Sequence, residues 1–231
     1  MTQSEWLTST NLRAMMHFAS GQTDARRLRL FACACCRQVW NRFIDPHTVG
    51  VVAVAEAFAD GKVSEAAFAR IRERARAAVA RAEQAHAPGV PPYLVHVARA
   101  AAHACADDIG TGAMAARVAA LHAVSDFPLL DPNYASELSA EYRDEMAAQA
   151  DLFRDVFGPD PSSYRGDIDP QWLTSDVQAL ARGIYANRDF GAMPILADAL
   201  QDAGCADDDI LTHCREAPVH ARGCWVVEML L

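Results

Sequence analysis

The chain has 231 residues, of which 52% are hydrophobic and 22% charged, and its formal net charge is −9. A chain of this length can bury a sizeable core, and the composition is that of a globular protein and not of a disordered one. The acidic balance excludes a general nucleic-acid binder, whose affinity rests on Lys and Arg neutralising phosphates.

The N-terminal stretch MTQSEWLTSTNLRAMMHF lacks a basic leader followed by an apolar core. No uncharged apolar run reaches the roughly 18 residues that a membrane helix requires. The expectation is a cytoplasmic protein with neither a membrane nor a nucleic acid as partner, acting on an unknown protein or small molecule. Seven cysteines are an odd number, and in a reducing compartment they are free thiols or metal ligands before they are disulfides.

In chain order, Ser4 is placed to cap a short helix carrying Trp6 and Leu7, and Thr10 or Asn11 to cap a second that stops at Gly21. Thr23 or Asp24 then opens ARRLRLFACACCRQVWNRFI, whose Leu28, Phe31, Cys35, Val39 and Phe43 recur at helical spacing up to Asp45-Pro46. Residues 48–59 form another helix closed by Asp60-Gly61. Ser64 caps a long Arg-studded helix ended by Pro88-Gly89. Residues 93–108 and 111–124 continue in the same style. SDFPLLDPNYAS, with its two prolines, reads as an irregular connection. Ser136 or Ser139 then starts a strongly patterned helix that stops at Gly158-Pro159.

Residues 158–171 hold several Pro and Gly and read as a linker. Beyond them Thr174 caps one helix, Pro194 sits in the first turn of a second that Gly204 ends, and Asp207 or Asp208 caps a third. The final CWVVEMLL could be helix or edge strand, since periodicity does not separate the two in so short a run. Almost nothing alternates with period two. The expected fold is therefore all-α: packed helical hairpins in a bundle or short irregular solenoid, one domain over 1–231 with sub-lobes 1–157 and 172–231.

Chemistry is concentrated in the tail, GCADDDILTHCREAPVHARGCW, which holds Cys205, His213, Cys214, His220 and Cys224. Thiolate and neutral imidazole are the ligands Zn²⁺ prefers, and a closed structural site uses four of them. The spacing lacks a zinc knuckle, so the tail does not close a site alone. A second cluster, Cys33-x-x-Cys36 with Cys35, puts two thiols on one helix face. If the clusters meet, Cys33 and Cys36 complete the set. The competing reading is that these cysteines are small buried hydrophobes. A third set, His96 and His103 with Glu137, Glu141 and Glu145 and the single Glu83-x-x-His86 pair, is half of a di-metal carboxylate signature. No nucleophile elbow, P-loop or dinucleotide fingerprint occurs.

SEWL, RLRLFACACCRQVW and the tail from Trp172 to Leu231 together resemble an uncharacterised group of bacterial all-helical proteins with a Cys-rich N-terminal helix and a Cys/His-rich tail. The resemblance implies that the two chain ends form the defining module, and it carries no catalytic residues. The expected function is a non-catalytic helical interaction or regulatory protein with a structural zinc site drawn from Cys33, Cys36, Cys205, His213, Cys214, His220 and Cys224; iron is the less favoured metal. The alternative is a metal-dependent enzyme or redox protein using the same cluster with an open coordination position. A third reading is an effector-binding domain with an apolar pocket lined by Trp40 and Phe43.

Overall fold

The structure is a computed structural model that describes residues 1–21, 24–42, 46–85, 93–124, 140–159 and 168–231. Among these the chain is all-α, as the periodicity predicts. In order the helices are α1 (Gln3–Thr8), α2 (Leu12–Phe18), α3 (Ala25–Gln38), α4 (Pro46–Ala59), α5 (Glu65–Gln84), α6 (Tyr93–Ala104), α7 (Ile109–Val124), α8 (Ala140–Phe157), α9 (Ser175–Asn187), α10 (Met193–Asp202), α11 (Asp208–Glu216) and α12 (Trp225–Met229). The ambiguous C-terminal run is thus a helix, capped by Cys224.

Most boundaries follow from local chemistry. The side chains of Asp24, Ser64, Thr174 and Asp207 each accept a hydrogen bond from the backbone N–H three residues on, satisfying a donor that the first helical turn leaves unpaired. α1 begins earlier than Ser4 suggests. Thr2 and Glu5 form a reciprocal capping box, which satisfies two backbone donors where Ser4 would satisfy one. α3 ends at Gln38, short of the expected Asp45-Pro46, and gives way to a 3-10 turn over Trp40–Arg42.

The chain divides into two compact units, Asp24–Gln149 and a second that joins Met1–Thr23 to Ala150–Leu231. The division falls inside α8.

In the unit Asp24–Gln149, α3 is the central helix. Every residue from Leu28 to Cys36 is buried, and α4, α6 and α7 pack against it. α6 and α7 pack against each other, and both carry buried small residues, among them Ala100, Ala101, Ala113 and Ala116. Gly112 is required at that junction: a Cβ there would meet Ala106 Cβ at 2.6 Å and the His103 carbonyl oxygen at 2.7 Å. Buried Arg29 lies against the stacked rings of Phe58 and Phe68 and donates to the carbonyls of Ala104 and Ala106. A cation thereby meets the negative end of α6. The guanidinium of Arg37 grips buried Glu56 with bonds of 2.5 and 2.8 Å, the paired geometry a buried carboxylate demands.

The second unit is built on two cores. Trp6 is fully buried against Phe18 and Phe153, and its indole N–H donates to the Gly158 carbonyl at 3.1 Å. Arg154 donates to the carbonyls of Trp6 and Ser9, which closes the C-terminal end of α1 onto α8. The other core joins α9 to α12 around Ile184, Leu196, Leu200, Ile210, Trp225 and Val226. Cys205 and Cys214 belong to this core.

Candidate metal centre

Within the second unit, side chains from α8, α11 and the α11–α12 connection converge on one point. Asp155, His213, His220 and Cys224 each offer a ligand atom, and these atoms all lie within 4.8 Å of one another. Asp155 Oδ1 is 2.9 Å from His220 Nδ1 and 3.1 Å from His213 Nε2. Cys224 Sγ is 3.2 Å from His213 Nε2 and 3.8 Å from His220 Nδ1. For Zn–N, Zn–O and Zn–S bonds of the usual lengths, a tetrahedral ion separates its ligands by about 3.3 to 3.6 Å. Those four separations stand within a few tenths of an ångström of that spacing, and the other pairs lie within 4.8 Å.

Local sequence places each group. In α11 the apolar positions Ile210 and Cys214 face the core, which turns His213 to the flank of the same helix. Pro218 breaks the chain after α11, and Gly223, at a φ of 98° that other residues avoid, brings the backbone round so that Cys224 caps α12. The turn is fixed from both sides. Ala221 N–H donates to Asp155 Oδ2 at 2.8 Å, and Cys224 N–H donates to the Ala221 carbonyl. The His213 ring packs between His220 and Trp225, with centroids 4.9 and 5.1 Å away.

Asp155 is 1% exposed, yet burial does not keep it neutral. Burial works to raise its carboxyl, but the hydrogen bonds from His213 and His220, and the charge either imidazole carries when protonated, outweigh it and hold the group below its ordinary value. Cys224 is the opposite case. Full burial, and then the Asp155 charge, push its thiol well above the ordinary range.

The pattern of contacts differs from that of a catalytic triad. A triad runs in series: the nucleophile meets one imidazole nitrogen and the carboxylate the other. Here His213 presents the same atom, Nε2, to both Asp155 and Cys224, and His220 presents Nδ1 to both. One nitrogen cannot donate its proton to the carboxylate and accept one from the thiol at once. Once both imidazoles are deprotonated, the four atoms can each turn a lone pair inward, an arrangement that fits a cation.

The residues singled out in the sequence are distributed as follows. His213, His220 and Cys224 come together. Cys205 and Cys214 lie beside the centre in the α9–α12 core, with burial raising both thiols, Cys214 to about 12. Cys33 and Cys36 belong to the other unit, fully buried on α3, where Cys33 donates to the Val52 carbonyl at 3.9 Å and burial drives both thiols far up. Neither is in the four-residue group. Glu145 joins a buried network with Gln149 and Arg117, while His86 and Glu137 lie outside the described residues. Trp40 is covered by the Arg37 guanidinium, and Phe43 also lies outside them.

Sequence reasoning missed Asp155. Its one signal is an acid set among Leu152, Phe153, Val156 and Phe157, all buried, where charge is rare unless paired. No helix among the described residues is long and apolar enough to cross a membrane. No family model, curated protein or solved structure matches the chain.

Proposed function

We propose that the chain is a helical interaction or regulatory protein whose unit of joined chain ends is held by one structural zinc ion. Asp155, His213, His220 and Cys224 would be its ligands. The observation that carries the reading is the convergence of one nitrogen per histidine on both the carboxylate and the thiol. A nitrogen, oxygen and sulfur set, with its nitrogen–oxygen and nitrogen–sulfur separations near tetrahedral values, suits zinc ahead of the oxygen-seeking cations. Four protein ligands favour a closed, structural centre over the alternative of an enzyme with an open position. The ion would tie α8 to α11 and α12 and relieve the clash between imidazole and thiol protons.

Elemental analysis tests this directly. Protein purified without chelator is expected to carry about one equivalent of zinc, because a four-ligand site of this type binds tightly at neutral pH. Freshly purified chain that holds well under one equivalent, and takes up none on titration, would overturn it.

A further inference from the structure

A cavity of about 200 Å³ opens in the same unit, and of the four candidate ligands only Asp155 and His213 line it. His213 is also the most exposed of the polar ligands, at 13% against 8% for His220 and 1% for Asp155. The wall of this cavity repeats one motif. On α8, Asp151 precedes Asp155 by one helical turn; on α11, Asp209 precedes His213 by one turn; and all of them line it. Residues four apart on a helix share a face, so each ligand on this side has a second carboxylate standing between it and the outside.

The remaining charge is Arg154, whose guanidinium is already directed at the carbonyls of Trp6 and Ser9 and at Asp151. Asp209 pairs with no cation among the described residues. The lining is therefore net negative, which repels an anionic substrate and draws a cation. Apolar neighbours such as Pro218, Val219 and Trp225 sharpen that field by keeping the dielectric low.

Resting on the metal reading above, we propose that this cavity is the passage by which a divalent cation reaches and leaves the centre, with Asp209 as its steering group. The centre is then exchangeable and not sealed. A hydrated ion meets Asp209 and Asp151 first, then His213 and Asp155, and last His220 and Cys224. In the final step the Cys224 S–H bond breaks, its electron pair forms the metal–sulfur bond, and the proton leaves to solvent. Nothing is oxidised or reduced.

Stopped-flow capture of Zn²⁺ by the stripped full-length chain, and its release to a coloured chelator, tests the passage. Asp209→Asn is expected to slow capture about threefold or more at low ionic strength, the low end of electrostatic steering, with the difference fading in high salt. Asp208→Asn is the control: it removes the same charge from the same first turn of α11, but Asp208 does not line the cavity, and its rate should match the unaltered chain. Ala217→Trp, which narrows the passage, should slow capture and release by the same factor and leave Kd unchanged. Equal capture rates for the Asp208 and Asp209 variants, or an Ala217→Trp rate equal to that of the unaltered chain, would overturn the proposal. Failure of the metal reading shows differently: the unaltered chain then reaches no zinc stoichiometry at any time.

Discussion

A fully buried carboxylate held between two imidazoles and a backbone N–H is the residue on which the centre depends. Asp155→Ala leaves three donors facing an emptied space, and removing one partner of a buried charged set costs about 3 to 5 kcal/mol. Chemical denaturation in the presence of chelator should show a loss of that order; a change under about 1 kcal/mol, the range of a surface ion pair, would mean that Asp155 is not the hub described. A second comparison separates ligands from neighbours. Cys224→Ser should abolish stoichiometric zinc, while Cys205→Ser and Cys214→Ser should retain it, since those thiols belong to the core. Three of the four candidate ligands were legible because Cys and His are scarce and crowd between His213 and Cys224. Asp155 was not, because carboxylates are common and only a distant helix brings this one in. A pair of thiols on a helix face, such as Cys33 and Cys36, looks the same in sequence whether it faces a metal or a core, and on α3 both are fully buried.

At the level of elements, caps and stops were readable because they are local. Asp24, Ser64, Thr174 and Asp207 sit where side-chain acceptors are needed, and Gly158 and Gly204 take the positive φ that ends a helix. The nature of the last segment was not readable, since a short apolar run looks the same as helix or strand, and only the docking of Trp225, Val226 and Val227 into the α9–α12 core decides it. The junction of α6 and α7 gives a sharp expectation. Gly112→Ala inserts a methyl group at 2.6 Å from Ala106 Cβ, and overpacking of this kind costs about 1 to 3 kcal/mol. Thermal unfolding should record a clear drop in Tm, although Ala is the better helix former. A rise in Tm would show that the helices part without cost.

Across the whole molecule, the two units should respond to different conditions. His96, His103 and His122 all lie in the unit Asp24–Gln149. Burial lowers the pKa of each, helped by His122 and Arg99 beside His96, by Arg99 beside His103 and by Arg117 beside His122. The unfolded chain takes up these protons near the ordinary value of 6.5, while the folded chain resists until lower pH. Their contribution is thus complete above about 6.5 and declines as pH falls toward the depressed folded values. Melting of chelator-treated protein should lose Tm between pH 7.5 and 5.5, and His122→Gln should flatten the slope; an unchanged slope would remove His122 from the account. Metal removal should act elsewhere. Chelation is expected to speed amide exchange in α11 and α12 and to leave α6 and α7 protected, and uniform acceleration would contradict a centre confined to one unit.

The joining of Met1–Thr23 to Ala150–Leu231 also sets a timetable for biogenesis. Asp24–Gln149 is continuous and can collapse as soon as it clears the ribosome, whereas Trp6, synthesised before that whole unit, finds neither Phe153 nor the Gly158 carbonyl until the unit has been made. Closing so long a loop is slow, and an unsheltered tryptophan invites association with other nascent chains. The candidate ligand set becomes whole only when Cys224 emerges, so ion capture would follow the folding of Asp24–Gln149 and fasten a unit whose first part had been waiting since before it.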